Sequence, residues 1–166
     1  MSKCLITILA LLPLFACSPP APKGPLADVE GIRSVSQIGT RLEVEVFPTA
    51  NANTEAGIDS YEAKLRDIGQ ALSKEGMDAH KIDRIDVTFD AVYQINTIGM
   101  NGYEAFALMH IPAQALMDAA ARPAEKGQIL NLVTSAEFLS PGDHSDRLWC
   151  QKNAAAAPRF CASAGH

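Results

Sequence analysis

The chain has 166 residues, a formal net charge of −5, 48% hydrophobic and 20% charged residues. Its lysines and arginines are scattered singly, so it lacks the basic stripe that phosphate neutralisation requires, and nucleic acid is not an expected partner. With an N-terminal leader and a proline-rich stretch set aside, roughly 140 residues remain, room for one domain with a sizeable core rather than two.

The leader begins with Lys3 and the apolar run Leu5 to Leu12, followed by Pro13-Leu14-Phe15-Ala16-Cys17. Such a run is too short for a hydrocarbon core that takes about 20 residues, but it suits the centre of a cleaved export signal. At Leu14-Phe15-Ala16-Cys17 the chain resembles the lipobox of bacterial lipoproteins. That resemblance implies a signal peptide over residues 1–16, cleavage before Cys17, and acylation of Cys17 (with palmitate among the expected lipids). Ser18 stands where many inner-membrane lipoproteins carry aspartate, so the resemblance implies a lipid anchor on the periplasmic side of the bacterial outer membrane. Prolines 19, 20, 22 and 25 follow, and proline fixes φ and removes backbone donors. Residues 17–30 therefore read as a flexible tether and residues 31–166 as the folded body.

In the body, Leu42, Val44 and Val46 alternate with Glu43 and Glu45, which predicts a half-buried strand between Ile38 and Phe47. From Thr54 or Asp59 to Glu75, Ile58, Tyr61, Leu65, Ile68 and Leu72 recur at helical spacing, with Gly76 as the stop. Ile85, Val87, Phe89, Ala91 and Tyr93 then alternate with Asp86, Thr88 and Asp90. A return strand is predicted from Tyr103 to Ile111, with Asn101-Gly102 as the hairpin turn. Ala113 to Lys126 has helical spacing, interrupted by Pro123. Gln128 to Leu139 fits helix or strand, and the β-branched and aromatic residues favour strand. The resulting class is α+β: one small domain with an antiparallel sheet and two helices on one face, in the βαββαβ order called ferredoxin-like.

Four cysteines are present; Cys4 leaves with the leader and Cys17 takes the lipid. Cys150 and Cys161 remain as an even pair, predicted to form a disulfide in an oxidising compartment and to staple a C-terminal tail. The return strand is apolar on both faces, and helices can cover only one. The second face is expected to be covered by the disulfide-tied tail carrying Leu148, Trp149 and Phe160, or by a partner, either another envelope protein or a second copy.

Signatures of hydrolases, zinc proteases and nucleotide enzymes are missing: there is no Gly-x-Ser-x-Gly, His-Glu-x-x-His, phosphate loop or dinucleotide fingerprint. No catalytic residue is assigned and no cofactor is implied. Asp143, His144 and Asp146 form the best metal-like group, although a polar turn explains them equally well. Asp86, Thr88 and Asp90 line one face of a strand, and with Trp149 they are the candidate binding residues. A row of aspartates at period two reads first as a solvated face, and His110 as a core or edge histidine. The functional expectation is a lipid-anchored envelope protein with a non-catalytic binding role. The alternatives are a periplasmic inhibitor or immunity-type lipoprotein and a small metal-dependent hydrolase using His144.

Overall fold

The computed structural model describes residues 24–47, 54–74, 81–95, 100–139 and 145–165. Five strands form a single sheet: β1 Ile32–Ile38, β2 Arg41–Val46, β3 Arg84–Ile95, β4 Met100–Pro112 and β5 Ser135–Phe138. Four helices accompany them, α1 Glu55–Lys74, α2 Ala113–Ala120, α3 Ser145–Asn153 and α4 Pro158–Ser163. The α+β class, the single small domain and the disulfide-tied end agree with the sequence pattern.

Strand order in the sheet is the order of the chain, β1-β2-β3-β4-β5. β2 and β3 are adjacent and parallel, joined across α1, whereas the other neighbours are antiparallel. The sheet is therefore mixed rather than wholly antiparallel. A split crossover would place a strand between the two strands that flank α1, and here none intervenes. The added strand is β1, which turns through Gly39 at φ 63° and Thr40 into β2. Positive φ suits glycine, which has no Cβ to clash.

α1 forms because its apolar residues return every three or four positions, and Ile58, Tyr61, Leu65, Ile68 and Leu72 are all buried. They meet Leu42, Val44 and Val46 of β2, and Ile85, Val87 and Phe89 of β3, in one continuous core. α2 stops at Ala120, short of Lys126, because Arg122-Pro123 lies just ahead and a pre-proline residue avoids the helical region. Its close approach to α1 is made at Gly69, where an added Cβ would stand 2.7 Å from Ala120 Cβ and 2.9 Å from the Leu116 carbonyl oxygen.

Three elements differ from the sequence pattern. Asn101 and Gly102 lie within β4, paired with Gln94 and Tyr93, so they are not the hairpin turn, and residues 96–99 lie outside the described residues. The span 128–139 is mostly turn: Leu130–Leu132 is a short 3-10 turn and only Ser135–Phe138 is strand. Here Glu62, 8% exposed, accepts hydrogen bonds from the backbone N–H groups of Gly127 at 2.8 Å and Ile129 at 2.9 Å. A buried carboxylate on α1 thus fixes the turn that leads into β5 and satisfies two donors that burial would leave unpaired. Within residues 24–30, read from sequence as tether, Gly24–Leu26 is a 3-10 turn and Leu26 is wholly buried in the core.

The C-terminal segment lies on the helical face rather than on the second face of the sheet. Trp149 is fully buried, its indole N–H donating to Asp59 Oδ1 at 2.7 Å, with Lys126 Nζ 5.8 Å from the ring centroid. Phe160 meets Trp149 edge-on at 5.6 Å and Phe138 at 6.0 Å, and Phe138 in turn meets Phe106 at 6.3 Å. Tyr61 closes the series, 6.3 Å from Phe106 and 4.2 Å from Phe89. Six rings thus link α1, the sheet and the tail. The disulfide Cys150–Cys161 joins α3 to α4, with both cysteines 4% exposed.

The tail has no apolar second face to cover, because a bulge changes what β4 presents. The register shifts between Phe89 and Asp90: Phe89 pairs with Ala107 and Asp90 with Ala105, leaving Phe106 as the extra residue. Phe106 is 1% exposed and turned into the core beside Tyr61. On the other side β4 shows Ala105, Leu108, His110 and Pro112, each half-buried, among the described side chains.

Candidate functional site

With α1 to α4 on one face, the other face of the sheet is uncovered among the described residues. Its composition follows from register. A row across all five strands reads Ser36, Glu43, Asp86, His110, Ser135. On one side of it lies the row Ile38, Arg41, Arg84, Pro112, and on the other Ser34, Glu45, Thr88, Leu108, Glu137. Side chains at alternate positions share a face, so these three rows are neighbours on one surface.

Asp86 organises the centre. Its side chain is 10% exposed, and it accepts from Arg84 Nε at 2.8 Å and Nη2 at 3.1 Å, a two-pronged grip. Arg41 Nε stands 3.5 Å from Asp86 Oδ2, close enough for attraction although the nitrogen makes no aligned hydrogen bond. Arg41 spends Nη2 on Glu43 at 2.7 Å. His110 Nδ1 lies 2.6 Å from Asp86 Oδ1, which orients the ring by one nitrogen and leaves Nε2 for another partner. A second buried aspartate, Asp90, is met by Arg33 Nη1 at 2.9 Å. Burying a carboxylate is costly unless it is paired and hydrogen-bonded, and both aspartates meet that condition through arginines on neighbouring strands or at a strand end. Arg41, Glu43, Glu45, Arg84, Asp86, Thr88, Leu108 and His110 line a concavity of about 390 Å3.

Of the candidate binding residues, Asp86 and Thr88 line this concavity and Asp90 lies on the same face, in its ion pair with Arg33. Trp149 is a correction: it sits on the opposite side of the sheet at 0% exposure, so it packs and cannot stack on a ligand. Cys17, Asp143 and His144 lie outside the described residues. Asp146 is in the first turn of α3 and 3% exposed, and no group of three or more metal-ligating side chains occurs among the described residues. The sequence reading missed Arg41, Arg84 and Arg33 as the groups that hold the aspartates, and it set His110 aside as structural. A signal was present: Arg-x-Glu-x-Glu on β2 and Arg-x-Asp-x-Thr-x-Asp on β3 both alternate charge out of phase with the apolar residues.

No family model, curated protein or solved structure matches the chain. Among the described residues, no helix is long and apolar enough to cross a membrane.

Proposed function

We propose that this is a lipid-anchored protein of the bacterial envelope, facing the periplasm, which binds its partner through the open face of the sheet and carries out no chemistry there. The lipobox-like Leu14-Phe15-Ala16-Cys17 supports the anchor. The observation that carries the binding reading is the concavity itself: a buried Asp86 gathers Arg84, Arg41 and His110 on a face that no helix covers among the described residues. Polar groups converging in a concave site are what recognition of a partner requires. His110, held at Nδ1 by Asp86 at 2.6 Å, is one of the oriented polar groups that such a partner would meet.

Two measurements test the proposal. Cys17→Ser in the producing cell is expected to move the protein from the membrane to the soluble fraction, with loss of the acyl mass. A photo-crosslinking residue at Leu108, on the open face, is expected to capture one discrete partner, whereas the same residue at Gln151 on α3 captures none. Equal labelling from both positions would refute the assignment of the face, and an unprocessed N-terminus would refute the anchor.

A further inference from the structure

The concavity has a direction. At one end, Arg41 and Arg84 are neighbours in register and are flanked by the uncharged Ile38 and Pro112. At the other end, Glu45 and Glu137 share a row, with Thr88 and Leu108 between them. Arg84 grips Asp86, Arg41 pairs with Glu43, and Glu45 accepts from Ser34 Oγ at 2.8 Å, yet the arginine side chains are 38% and 47% exposed and Glu45 49%, so each keeps an outer edge for an incoming group. Between the ends lie Glu43, paired with Arg41 at 2.7 Å, and Asp86 and His110, the Asp86 carboxylate already saturated by its donors.

A ligand carrying a single negative charge would meet the arginines but then lie over acids. A cation would meet the glutamates and then the arginines. Only a molecule with both charges, set apart along the strand direction, is complementary to the whole face. The two end rows are four residues apart on β3, from Arg84 to Thr88, or about 13 Å at strand rise. An extended chain of three or four residues spans about that length.

We infer that the open face binds a short peptide with both termini free, its terminal carboxylate on Arg41 and Arg84 and its terminal ammonium towards Glu45. The planar guanidinium fork suits a carboxylate, and the Thr88 hydroxyl and His110 Nε2 are placed to hydrogen-bond the peptide main chain. Side-chain selectivity is weak here, because Leu108 is the one apolar side chain at the centre of the surface. This inference rests on the binding reading above and names the ligand class for the same face.

The probe is trialanine with free termini, compared with its N-acetylated and C-amidated forms, added to the full chain while backbone amide resonances are followed by NMR. Trialanine is expected to shift the β2, β3 and β4 amides saturably, and each blocked form to bind at least tenfold more weakly. Arg84→Gln is expected to erase the difference between trialanine and its amide while the amide spectrum outside the open face stays that of the folded chain, although loss of the Asp86 pair lowers the thermal midpoint by several degrees. Three peptides acting alike, shifts elsewhere in the fold, or no saturable shift would overturn the inference. If trialanine fails while crosslinking from Leu108 still captures one partner and Gln151 none, the peptide inference falls alone; if both fail, the binding reading falls with it.

Discussion

Gly69→Ala sets two effects of known sign against each other. In an open helix, replacing glycine with alanine stabilises by about 1 kcal/mol, because glycine loses more backbone freedom on folding. Gly69, however, faces α2: a Cβ built there lies 2.7 Å from Ala120 Cβ, 2.9 Å from the Leu116 carbonyl oxygen and 3.1 Å from Leu116 Cγ. Carbon atoms sit best about 3.5 to 4.0 Å apart, so α1 and α2 must separate by about 1 Å, a gap that forfeits a quarter to a half of the attraction at each contact they share. One of the clashing atoms is backbone, which cannot rotate away. Overpacking of this kind costs about 1 to 3 kcal/mol, with rigid neighbours placing it at the upper end. Subtracting the helix gain leaves a net loss of about 2 kcal/mol, or about 6 °C in the thermal midpoint of a domain this size. Urea unfolding followed by Trp149 fluorescence measures it. A variant more stable than the parent by about 1 kcal/mol would refute the reasoning, since it would mean that α1 and α2 do not approach as closely as Gly69 requires.

Three further outcomes follow from named contacts. Reducing Cys150–Cys161 releases a loop with a sequence separation of 11, for which chain entropy gives a loss of about 3 kcal/mol, read as a lowered unfolding midpoint under reductant; an unchanged midpoint would contradict it. Glu62→Gln keeps the shape of the side chain but turns an N–H against one of the two buried backbone donors it serves, and is expected to cost about 2 kcal/mol in urea unfolding. The Lys152 ammonium, 2.7 Å from Glu55, holds the Glu55 carboxyl below its usual 4.5. Because the folded value is the lower one, this pair favours the folded state at and above the unfolded pKa and stops doing so as pH falls through the folded one. Glu55→Gln should therefore lower the thermal midpoint slightly at pH 7, by an amount that shrinks as the pH is taken below 4.5 and that high salt removes; an effect that does not shrink on acidification would rule out the ion pair as its source.

Where a single element carries its own pattern, the sequence was legible. α1, β2 and β3 each repeat at one clear period over enough residues to fix which side chains face the core, whereas β4 is apolar on both faces and its bulge at Phe106 left no trace in the pattern. β1 was not legible, because Ile32-Arg33-Ser34-Val35-Ser36-Gln37 has two apolar residues out of phase with a period of two. It is a strand because β2 offers it a bonding edge, with a bulge at Arg33 absorbing the mismatch. The span 128–139 was ambiguous for a related reason: Ile129, Leu130 and Val133 are all buried in a turn whose shape is set by Glu62, which lies 65 residues earlier and leaves no local trace. Trp149 was misassigned because aromatic residues bind ligands and fill cores with equal ease. Asp59, which fixes the indole, is 90 residues away.

The site was half legible, and the missing half explains its chemistry. Asp86, Thr88 and Asp90 were visible as one face of a strand, and taken alone they describe a solvated surface. Asp86 and Asp90 are instead 8% and 5% exposed, on the face without helices. Coverage there comes from arginines lying across the sheet, with hydrocarbon stems over the surface and charged heads turned inward to the carboxylates. Arg84 reaches Asp86 from its own strand and Arg41 from β2, while Arg33 reaches Asp90 from the β1 bulge. An ordinary solvated face has no need of buried acids, since water satisfies a carboxylate without the desolvation cost. What buried acids supply is fixed position: Asp86 holds Arg84 through Nε and Nη2, and Asp90 holds Arg33 through Nη1. In that way a sheet face with few apolar residues gains rigid donors, and rigidity in the unbound state lowers the cost of ordering on binding.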